Sequence, residues 1–328
     1  MKRTLLSLLA LTLALASPAF SQKIAGYTSL GSPDYAAGTY VLNAPNPVTN
    51  KIYANSFTDL AYTTTIDVIS GTTHKIITSL TANAGVAKLT VNATTNTIYS
   101  MNADGTVTVI DGSVDQVVAT IPAPILNSCG FNLFLDDSAN KLVIVDYCNA
   151  IAYVLDGSSY ALLATINIPL QYPGTVAVNP VTHLLYMTGD YDHAFVVVDL
   201  TTYTQTKVSV RGNPNGVAVD STRNLVYIGD YGQNILYEFN GATNTIVGTA
   251  PLAAFAYEMA VNEKTHILAV LENNEGLYFF HDLNLVADGQ VNFGPKLIEN
   301  LSVNSTNNLF YVGVNPINNL AYIQGPTH

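Results

Sequence analysis

Carboxylates and phenols occur side by side at three regularly spaced places in this sequence: Asp146-Tyr147, Asp190-Tyr191 and Asp230-Tyr231. Such oxygen ligands can hold a divalent cation, and tyrosines beside carboxylates can bind a polar ligand such as a sugar. Asp side chains also cap tight turns by accepting hydrogen bonds from nearby backbone. The pattern therefore leaves two interpretations open, a ligand site and a set of structural turns.

Several further polar residues near these pairs are not required by the regular pattern. The full set of candidate ligand-binding residues is Asp146, Tyr147, Asp190, Tyr191, Asp192, His193, Asp230, Tyr231, Glu258 and Glu272. One hypothesis is noncatalytic binding through these residues. The alternative is a metal-assisted hydrolase such as a lactonase, in which Asp190, Asp230 and Glu258 would hold a divalent cation.

Motifs that would identify an enzyme are absent from the sequence. It contains no G-x-S-x-G elbow, no phosphate-binding G-x-x-x-x-G-K-[ST] loop and no H-E-x-x-H zinc motif. None of the six histidines stands at a metal-ligand spacing from another His or Cys. No residue is identified as a nucleophile, no cofactor is expected, and binding is favoured over catalysis.

Composition narrows the fold class and the partners. The chain has 328 residues, of which 48% are hydrophobic and only 11% charged, with many Thr, Asn, Tyr and Val. This composition favours strands and turns over surface helices or disorder. The formal net charge of -11 disfavours nucleic acid as a partner, because phosphate backbones would be repelled.

Residues 1–21 have the features of a secretory signal peptide. Lys2 and Arg3 give a basic start, an apolar run from Leu5 to Ala16 follows, and Ala19-Phe20-Ser21 fits a cleavage site. That run is shorter than a membrane-spanning helix requires, and no later stretch is long enough to span. We therefore expect a secreted or periplasmic protein with a mature chain of residues 22–328.

Seven segments of the mature chain share one pattern, an Asn or Asp, a short turn and a strand centred on Tyr or an aliphatic residue. They begin at Asn46, Asn92, Asp136, Asn179, Asp220, Asn262 and Asn304. Each unit continues with a second turn, an alternating strand and a further strand. Four short strands in a repeat of about 43 residues are typical of one β-propeller blade. We predict an all-β fold, a propeller of seven four-stranded antiparallel blades.

The units resemble the YVTN family of β-propeller repeats, a relative of WD40-like repeats, and Asn92 to Gly112 matches its consensus best. The resemblance covers the whole mature chain and implies the propeller fold without fixing a function. It also implies that the first-turn histidines His183 and His266 replace an Asn, and we expect them to be solvated turn residues. The repeated tyrosines should be packing residues in strands.

The last unit lacks a fourth strand, and residues near Lys23 to Ser29 precede the first unit. We predict that these N-terminal residues supply that strand and close the ring. A second Asn-Pro segment at Asn315 permits a rival count of eight blades, but it begins too soon after Asn304 for a separate blade. The closed ring is expected to be a monomer.

Cys129 and Cys148 are the only cysteines. A hairpin turn near Asp136 to Asn140 would place them opposite each other, so a structural disulfide is expected in an exported protein. Two buried free thiols are the main alternative. Taken together, the sequence favours an exported noncatalytic propeller that binds a protein, a peptide or a polysaccharide through one rim.

Overall fold

The computed structural model describes residues 22–30, 39–58, 64–125, 130–273, 276–281, 285–294, 297–315 and 319–326. The predicted signal peptide and Cys129 lie outside the described residues. Within the described ranges the chain forms strands joined by turns, and it contains no helix long and apolar enough to cross a membrane. The strands form seven antiparallel sheets of four, as predicted.

Each sheet is one blade, and six of the blades use four consecutive strands. The first strand of the chain is β1, Ile24–Ser29. Blades 1 to 3 comprise β2 Thr39–Asn46, β3 Lys51–Thr58, β4 Thr65–Ser70 and β5 Ile76–Thr81; β6 Val86–Asn92, β7 Thr97–Asn102, β8 Thr106–Asp111 and β9 Gln116–Pro122; and β10 Phe131–Asp136, β11 Lys141–Asp146, β12 Ile151–Asp156 and β13 Leu162–Asn167.

The remaining four blades follow the same order of strands. Blades 4 to 6 comprise β14 Pro173–Asn179, β15 Leu184–Gly189, β16 Ala194–Asp199 and β17 Gln205–Ser209; β18 Pro214–Asp220, β19 Leu225–Asp230, β20 Ile235–Asn240 and β21 Thr245–Pro251; and β22 Ala256–Asn262, β23 Ile267–Glu272, β24 Gly276–His281 and β25 Val286–Val291. Blade 7 comprises β26 Leu297–Asn304, β27 Leu309–Asn315 and β28 Asn319–Gln324, with β1 as its fourth strand.

The blades form a closed ring around a central channel. The first strand of each blade contacts the first strand of the next, and β26 of blade 7 contacts β2 of blade 1. The fourth strands lie at the outside, where most side chains of β5, β9 and β21 are exposed. Asn315 ends β27 inside blade 7, so the rival eighth blade does not form and the seven-blade count is confirmed.

The hydrophobic core is divided among the interfaces between blades. Seven apolar clusters occur, one at each interface, including one between blades 7 and 1. The repeated tyrosines lie in or beside these clusters, and Tyr53, Tyr186 and Tyr322 have no exposed surface. Because a strand alternates its side chains between two faces, each sheet buries both faces only when it lies between two neighbours.

The N-terminal strand closes the ring, as the sequence predicts. β1 pairs antiparallel with β28, with Thr28 opposite Leu320 and Ser29 opposite Asn319. Leu30 follows β1 and is 3% exposed within the apolar cluster between blades 7 and 1. The hydroxyl of Thr28 donates to the backbone carbonyl of His74 in blade 1 at 2.7 Å. Both strand pairing and side-chain packing therefore hold the two ends of the chain together.

A titratable side chain, His74, lies at this closure. Its ring stacks on Tyr322 of blade 7 with centroids 4.1 Å apart and planes at 11°. Its Nε2 is buried without a hydrogen-bond partner. Burial lowers the pKa of His74, and a hydrogen bond to the backbone of Gly71 opposes the shift. Protonation in the folded state therefore places a charge where no acceptor neutralises it.

We expect His74 to reduce stability as the pH falls below about 6.5, its ordinary pKa. The folded pKa is the lower one, so the contribution is present above the unfolded pKa and is lost as pH falls towards the folded pKa. His74→Asn is the matched variant, because Asn244 occupies the equivalent turn of blade 5 with the same positive φ. Urea unfolding at pH 7.5, 6.5 and 5.5 should show a smaller loss of free energy of unfolding for the variant than for the wild type. Equal pH dependence would contradict the assignment.

A ring of side-chain bonds joins the first turns of all seven blades on one rim. The Asn or Asp that begins each repeat is buried, and its Oδ1 accepts a backbone N–H of its own turn, as Asn92 does from Thr94 at 2.9 Å. Its other polar side-chain atom, Nδ2 of Asn or Oδ2 of Asp, bonds the residue that stands four positions after the first residue of the next repeat. The distances span 2.6 to 3.1 Å for the pairs Asn46–Asn96, Asn92–Asn140, Asp136–His183, Asn179–Asn224, Asp220–His266, Asn262–Asn308 and Asn304–Asn50.

His183 and His266 belong to this ring of bonds. From the sequence we expected solvated turn residues and did not predict these bonds. Where the first residue is Asn, its amide donates to an Asn of the next blade, whereas a carboxylate can only accept and therefore faces a His. The seven residues that pair with these first Asn and Asp residues all have positive φ, near 50 to 57°. Asn tolerates that conformation better than most residues.

The cysteine pairing stays a prediction, because Cys129 is not described. The register of the third blade leads towards it, since Phe131 lies opposite Asp146 and Tyr147 donates its N–H to Gly130 O at 3.0 Å. Continued by one residue on each strand, this register would place Cys129 opposite Cys148.

Candidate functional site

The candidate residues lie on the rim opposite the ring of first-turn bonds. The second turn of each blade begins where the first strand starts, as shown by the pairs Val86 with Asn102, Pro214 with Asp230 and Ala256 with Glu272. We call this side the second-turn rim. It carries the second turns together with the loops that enter each blade from the preceding one.

Three of the predicted carboxylates bond nearby backbone: Asp146 and Asp230 bond their own turns, and Glu272 bonds the loop that enters blade 6. Asp146 is fully buried and accepts from the backbone of Cys148 and Asn149, both at 3.1 Å. Asp230 is fully buried and accepts from the backbone of Gln233 at 2.7 Å. Glu272, 1% exposed, accepts from the backbone of Ala254 at 2.6 Å. The bonds of Asp146 and Asp230 are of the kind that the structural interpretation expects.

Asp230 has one oxygen that these bonds leave unused. Its Oδ2 is buried, accepts no hydrogen bond from the described residues and lies against the backbone of Gly212, which has a φ of 111°. A Cβ on Gly212 would come within 1.6 Å of that oxygen. Glycine at this position is therefore required both by its backbone conformation and by the carboxylate beside it.

Asp190, Asp192 and His193 lie in the second turn of blade 4. Burial raises the pKa of Asp190, a hydrogen bond from Asn215 lowers it, and the nearby Asp192 raises it again. Asp192 accepts from the backbone N–H groups of Gln171 and Tyr172 at 2.9 Å. The exposed ring of His193 bonds Gly212 O at 2.6 Å and so links blades 4 and 5. These polar groups position the loops around them.

The predicted cation ligands do not come together. Asp190 bonds Asn215, Asp230 bonds its own turn, and Glu258 Oε2 accepts from the backbone of Leu301 at 2.6 Å. Across the described part of the chain, no group of three or more His, Cys, Asp or Glu side chains is placed to hold a metal ion.

The tyrosines of the Asp-Tyr pairs divide into two kinds. Tyr147 points into the central channel, and burial raises its pKa well above the ordinary value. Tyr191 and Tyr231 are 61% and 44% exposed, and their ring centroids are 6.4 Å apart across the boundary between blades 4 and 5. The structure thus brings two of the three predicted tyrosines together on the surface.

Two further rings extend this pair, and the four residues form what we call the aromatic ledge: Tyr172, Tyr191, Tyr231 and Phe255. Tyr172 is 50% exposed and meets Tyr191 edge to face at 6.0 Å. Phe255 meets Tyr231 in the same way at 4.6 Å. The ledge therefore runs without interruption from the entry loop of blade 4 to that of blade 6.

Sequence reasoning missed Tyr172 and Phe255 because they lie outside the repeated motif. Each stands immediately before a first strand, β14 or β22, in a loop that enters a blade. A signal did exist, since an aromatic residue directly before a first strand must reach the same rim as the second turns. The four rings form edge-to-face contacts that favour a fixed arrangement.

No protein-family profile matches this chain, and no curated protein of known sequence matches it significantly. Similarity is found in three-dimensional structure. A chain from "Crystal Structure of Mitotic Checkpoint Complex" superposes with a TM-score of 0.76 at 12% identity, covering 99% of each chain. The chain of "Structure of U3-55K" superposes with a TM-score of 0.73 at 9% identity, covering 93% of this chain and 100% of the other. At such low identities the likeness establishes a seven-bladed propeller fold.

Proposed function

We propose that this chain is an exported, noncatalytic β-propeller of the YVTN type that binds a polypeptide partner on the second-turn rim. The aromatic ledge carries the proposal. Monomeric proteins seldom expose several large rings side by side, and tyrosines are enriched at protein interfaces. Tyr172, Tyr191 and Tyr231 are each at least 44% exposed and form one surface.

The chemistry around the ledge favours a protein or peptide. Ordered backbone groups and carboxylates surround the rings, as expected of an interface with an apolar centre and a polar rim. Asp192 and Lys207 form an ion pair at 3.5 Å beside Tyr172. One of the similar structures is titled as a complex, which agrees with a role of this fold in assembly. The ring of bonds between first turns supports the YVTN type, since it gives a structural role to the Asn that most repeats carry at the start and the end of the first turn.

Two features direct the search for the partner. The pattern of residues 1–21 supports export, so the partner is to be sought in the secreted or periplasmic fraction of the source organism. The formal net charge of -11 favours a partner that is not itself strongly acidic.

Replacing the two central rings, Tyr191→Ala with Tyr231→Ala, is expected to weaken partner binding by about 10- to 100-fold, because buried tyrosines are typical hot spots worth about 1 to 3 kcal/mol. Both side chains are largely exposed in the free protein, so the melting temperature should change little. Quantitative capture from the secreted or periplasmic fraction, followed by titration of the captured protein, measures the effect.

Val181→Ala is the matched control, because Val181 is 65% exposed on the opposite rim. It should retain the partner as the wild type does. Equal retention by the double tyrosine variant would contradict the proposal. The wild type could instead retain a polysaccharide that the double tyrosine variant does not retain. The rim would then still be the binding site, but the partner would be a polysaccharide and not a protein.

A further inference from the structure

The central channel contains a cavity of about 170 Å³ whose wall is built by the first strands of blades 2 to 7. A cavity of about 150 Å³ is large enough to bind a molecule the size of benzene. It is therefore suited to a small molecule, not to a macromolecule. The wall combines apolar side chains, among them Phe134 and Met259, with Lys88 and Glu258.

Lys88 is the unusual member of this wall. It lies on β6 and is half-buried, yet its ammonium forms no ion pair or hydrogen bond with any residue that the structure describes. A charge removed from bulk water is costly unless an opposite charge or hydrogen-bond acceptors compensate it. In a chain with a formal net charge of -11, this cation faces the cavity with no carboxylate bound to it.

Glu258 supplies the opposite charge from another part of the wall. It lies on β22 of blade 6, and blade 2 with Lys88 is three blades away around the shorter side of the ring. The backbone N–H of Leu301 fixes Oε2 at 2.6 Å, whereas Oε1 accepts no hydrogen bond from the described protein. Lys88 and Glu258 line the same cavity without forming an ion pair with each other.

The position of Glu258 is set by a rigid neighbour. The first strand of blade 7 bulges at Asn300, which has a φ of 53°. Asn43 of blade 1 holds the bulge, since its backbone N–H donates to Asn300 Oδ1 at 2.6 Å and its side chain donates to Asn300 O at 2.8 Å. The bulge presents the Leu301 N–H to Glu258 and so holds its carboxylate in the wall of the cavity.

We propose that this cavity binds a small zwitterion, of which a free α-amino acid is the simplest, with the ligand carboxylate at Lys88 and the ligand ammonium at Glu258. One ligand then compensates both charges, which a simple anion or a simple amine cannot do. The apolar wall at Phe134 and Met259 would contact the ligand's side chain. This site is distinct from the aromatic ledge and does not depend on it.

The test uses the chain from Gln22 to His328 with a panel of free amino acids and Gly-X dipeptides, measured by thermal shift and titration calorimetry. At least one zwitterion should bind and raise the melting temperature. Its N-acetyl derivative, which lacks the ammonium, and its amide, which lacks the carboxylate, should each bind at least about tenfold more weakly, equivalent to about 1.4 kcal/mol.

Variants assign each end of the ligand. Lys88→Met should bind the amino acid and its amide equally, and Glu258→Gln should bind the amino acid and its N-acetyl form equally. Gln retains an oxygen for the Leu301 N–H, and an unchanged melting temperature of the free variant confirms that the bulge is intact. Lys75→Met is the control, because Lys75 is exposed outside the channel, and it should bind as the wild type does.

The proposal is overturned if no zwitterion in the panel shifts the melting temperature at millimolar concentration. It is also overturned if the wild type binds the N-acetyl form or the amide as tightly as the parent amino acid. The variant Tyr191→Ala with Tyr231→Ala should bind the amino acid normally, so failure at the channel and failure at the ledge are separate results.

Discussion

Removing residues 22–30 is expected to leave the protein without a stable folded monomer. The deletion takes away the fourth strand of blade 7 and exposes β28 as an edge, in which Leu320 to Ile323 are fully buried in the intact protein. An apolar, unpaired edge strand promotes aggregation. Size-exclusion chromatography and circular dichroism of the truncated chain, compared with the chain that begins at Gln22, measure the outcome.

A single substitution tests the same closure more gently. Leu30→Ala should lower the free energy of unfolding by about 2 to 4 kcal/mol, the usual cost of truncating a fully packed leucine. Tyr27→Ala is the control, because Tyr27 on β1 is 42% exposed, and it should cost much less. If the closure contributed little to stability, the two variants would lose similar amounts of free energy of unfolding.

Moving residues 22–30 to the other end of the chain tests whether the missing strand alone causes the loss of folding. Ile24 lies opposite Ile323 near the end of β28, so residues 22–30 placed after Pro326 through a short turn would form an ordinary hairpin with that strand. In six blades the third and fourth strands are already connected in this way. The permuted protein should recover solubility and most of the melting temperature. If it remains unfolded although β1 is present, the role assigned to the strand is wrong.

Breaking the Asp136–His183 bond is expected to produce the second large effect. Asp136 is fully buried, and its Oδ2 bonds His183 Nδ1 at 2.8 Å. Among the described residues His183 is the one donor to that oxygen, and His183→Ala removes it. A buried acceptor left without its partner costs about 1 to 3 kcal/mol. Urea unfolding of the variant should show a loss in that range.

The cost should depend on the charge of Asp136. In the background of Asp136→Asn, the change His183→Ala should cost about 1 kcal/mol less, because a neutral amide is easier to leave unpaired than a carboxylate. Strictly additive losses would show that the two side chains do not interact energetically.

His183→Asn should fail to restore the bond, although Asn fills this place in five of the seven turns. In those five blades a glycine directly follows the third strand, and a Cβ on it would come within 2.3 to 2.6 Å of the Asn Oδ1. Beside His183 the corresponding residue is Leu200, which is fully buried. A variant as stable as the wild type would contradict this steric reasoning.

The fold was predictable because its causes are repeated. Each blade places Tyr or an aliphatic residue at the same point of its second strand and Asn or Asp at the same turn, so one pattern is supported by seven copies. We predicted the closure by β1 from two observations. The last copy lacks a fourth strand, and residues are left over before the first copy. Packing between blades then follows from the alternation of side chains along strands.

The site was less predictable because it depends on residues that differ between copies. Tyr147 and Tyr191 follow the same Asp in their repeats, yet Tyr147 faces the channel and Tyr191, with a φ of 64°, faces solvent. The ledge also needs Tyr172 and Phe255 from entry loops, whose conformation no repeat specifies. Lys88 and Glu258 come together only because the ring brings distant strands to one channel.

The bonds between first turns limit how such a chain can be rearranged. A repeat that begins with Asp must be followed by one that offers His, whereas a repeat that begins with Asn pairs with an Asn that has glycine beside it. Exchanging blades 4 and 5 would therefore set Asp136 against an Asn and Asn179 against a His. Recombination between copies, in evolution or in the laboratory, should succeed only where donor and acceptor types match at the new junctions.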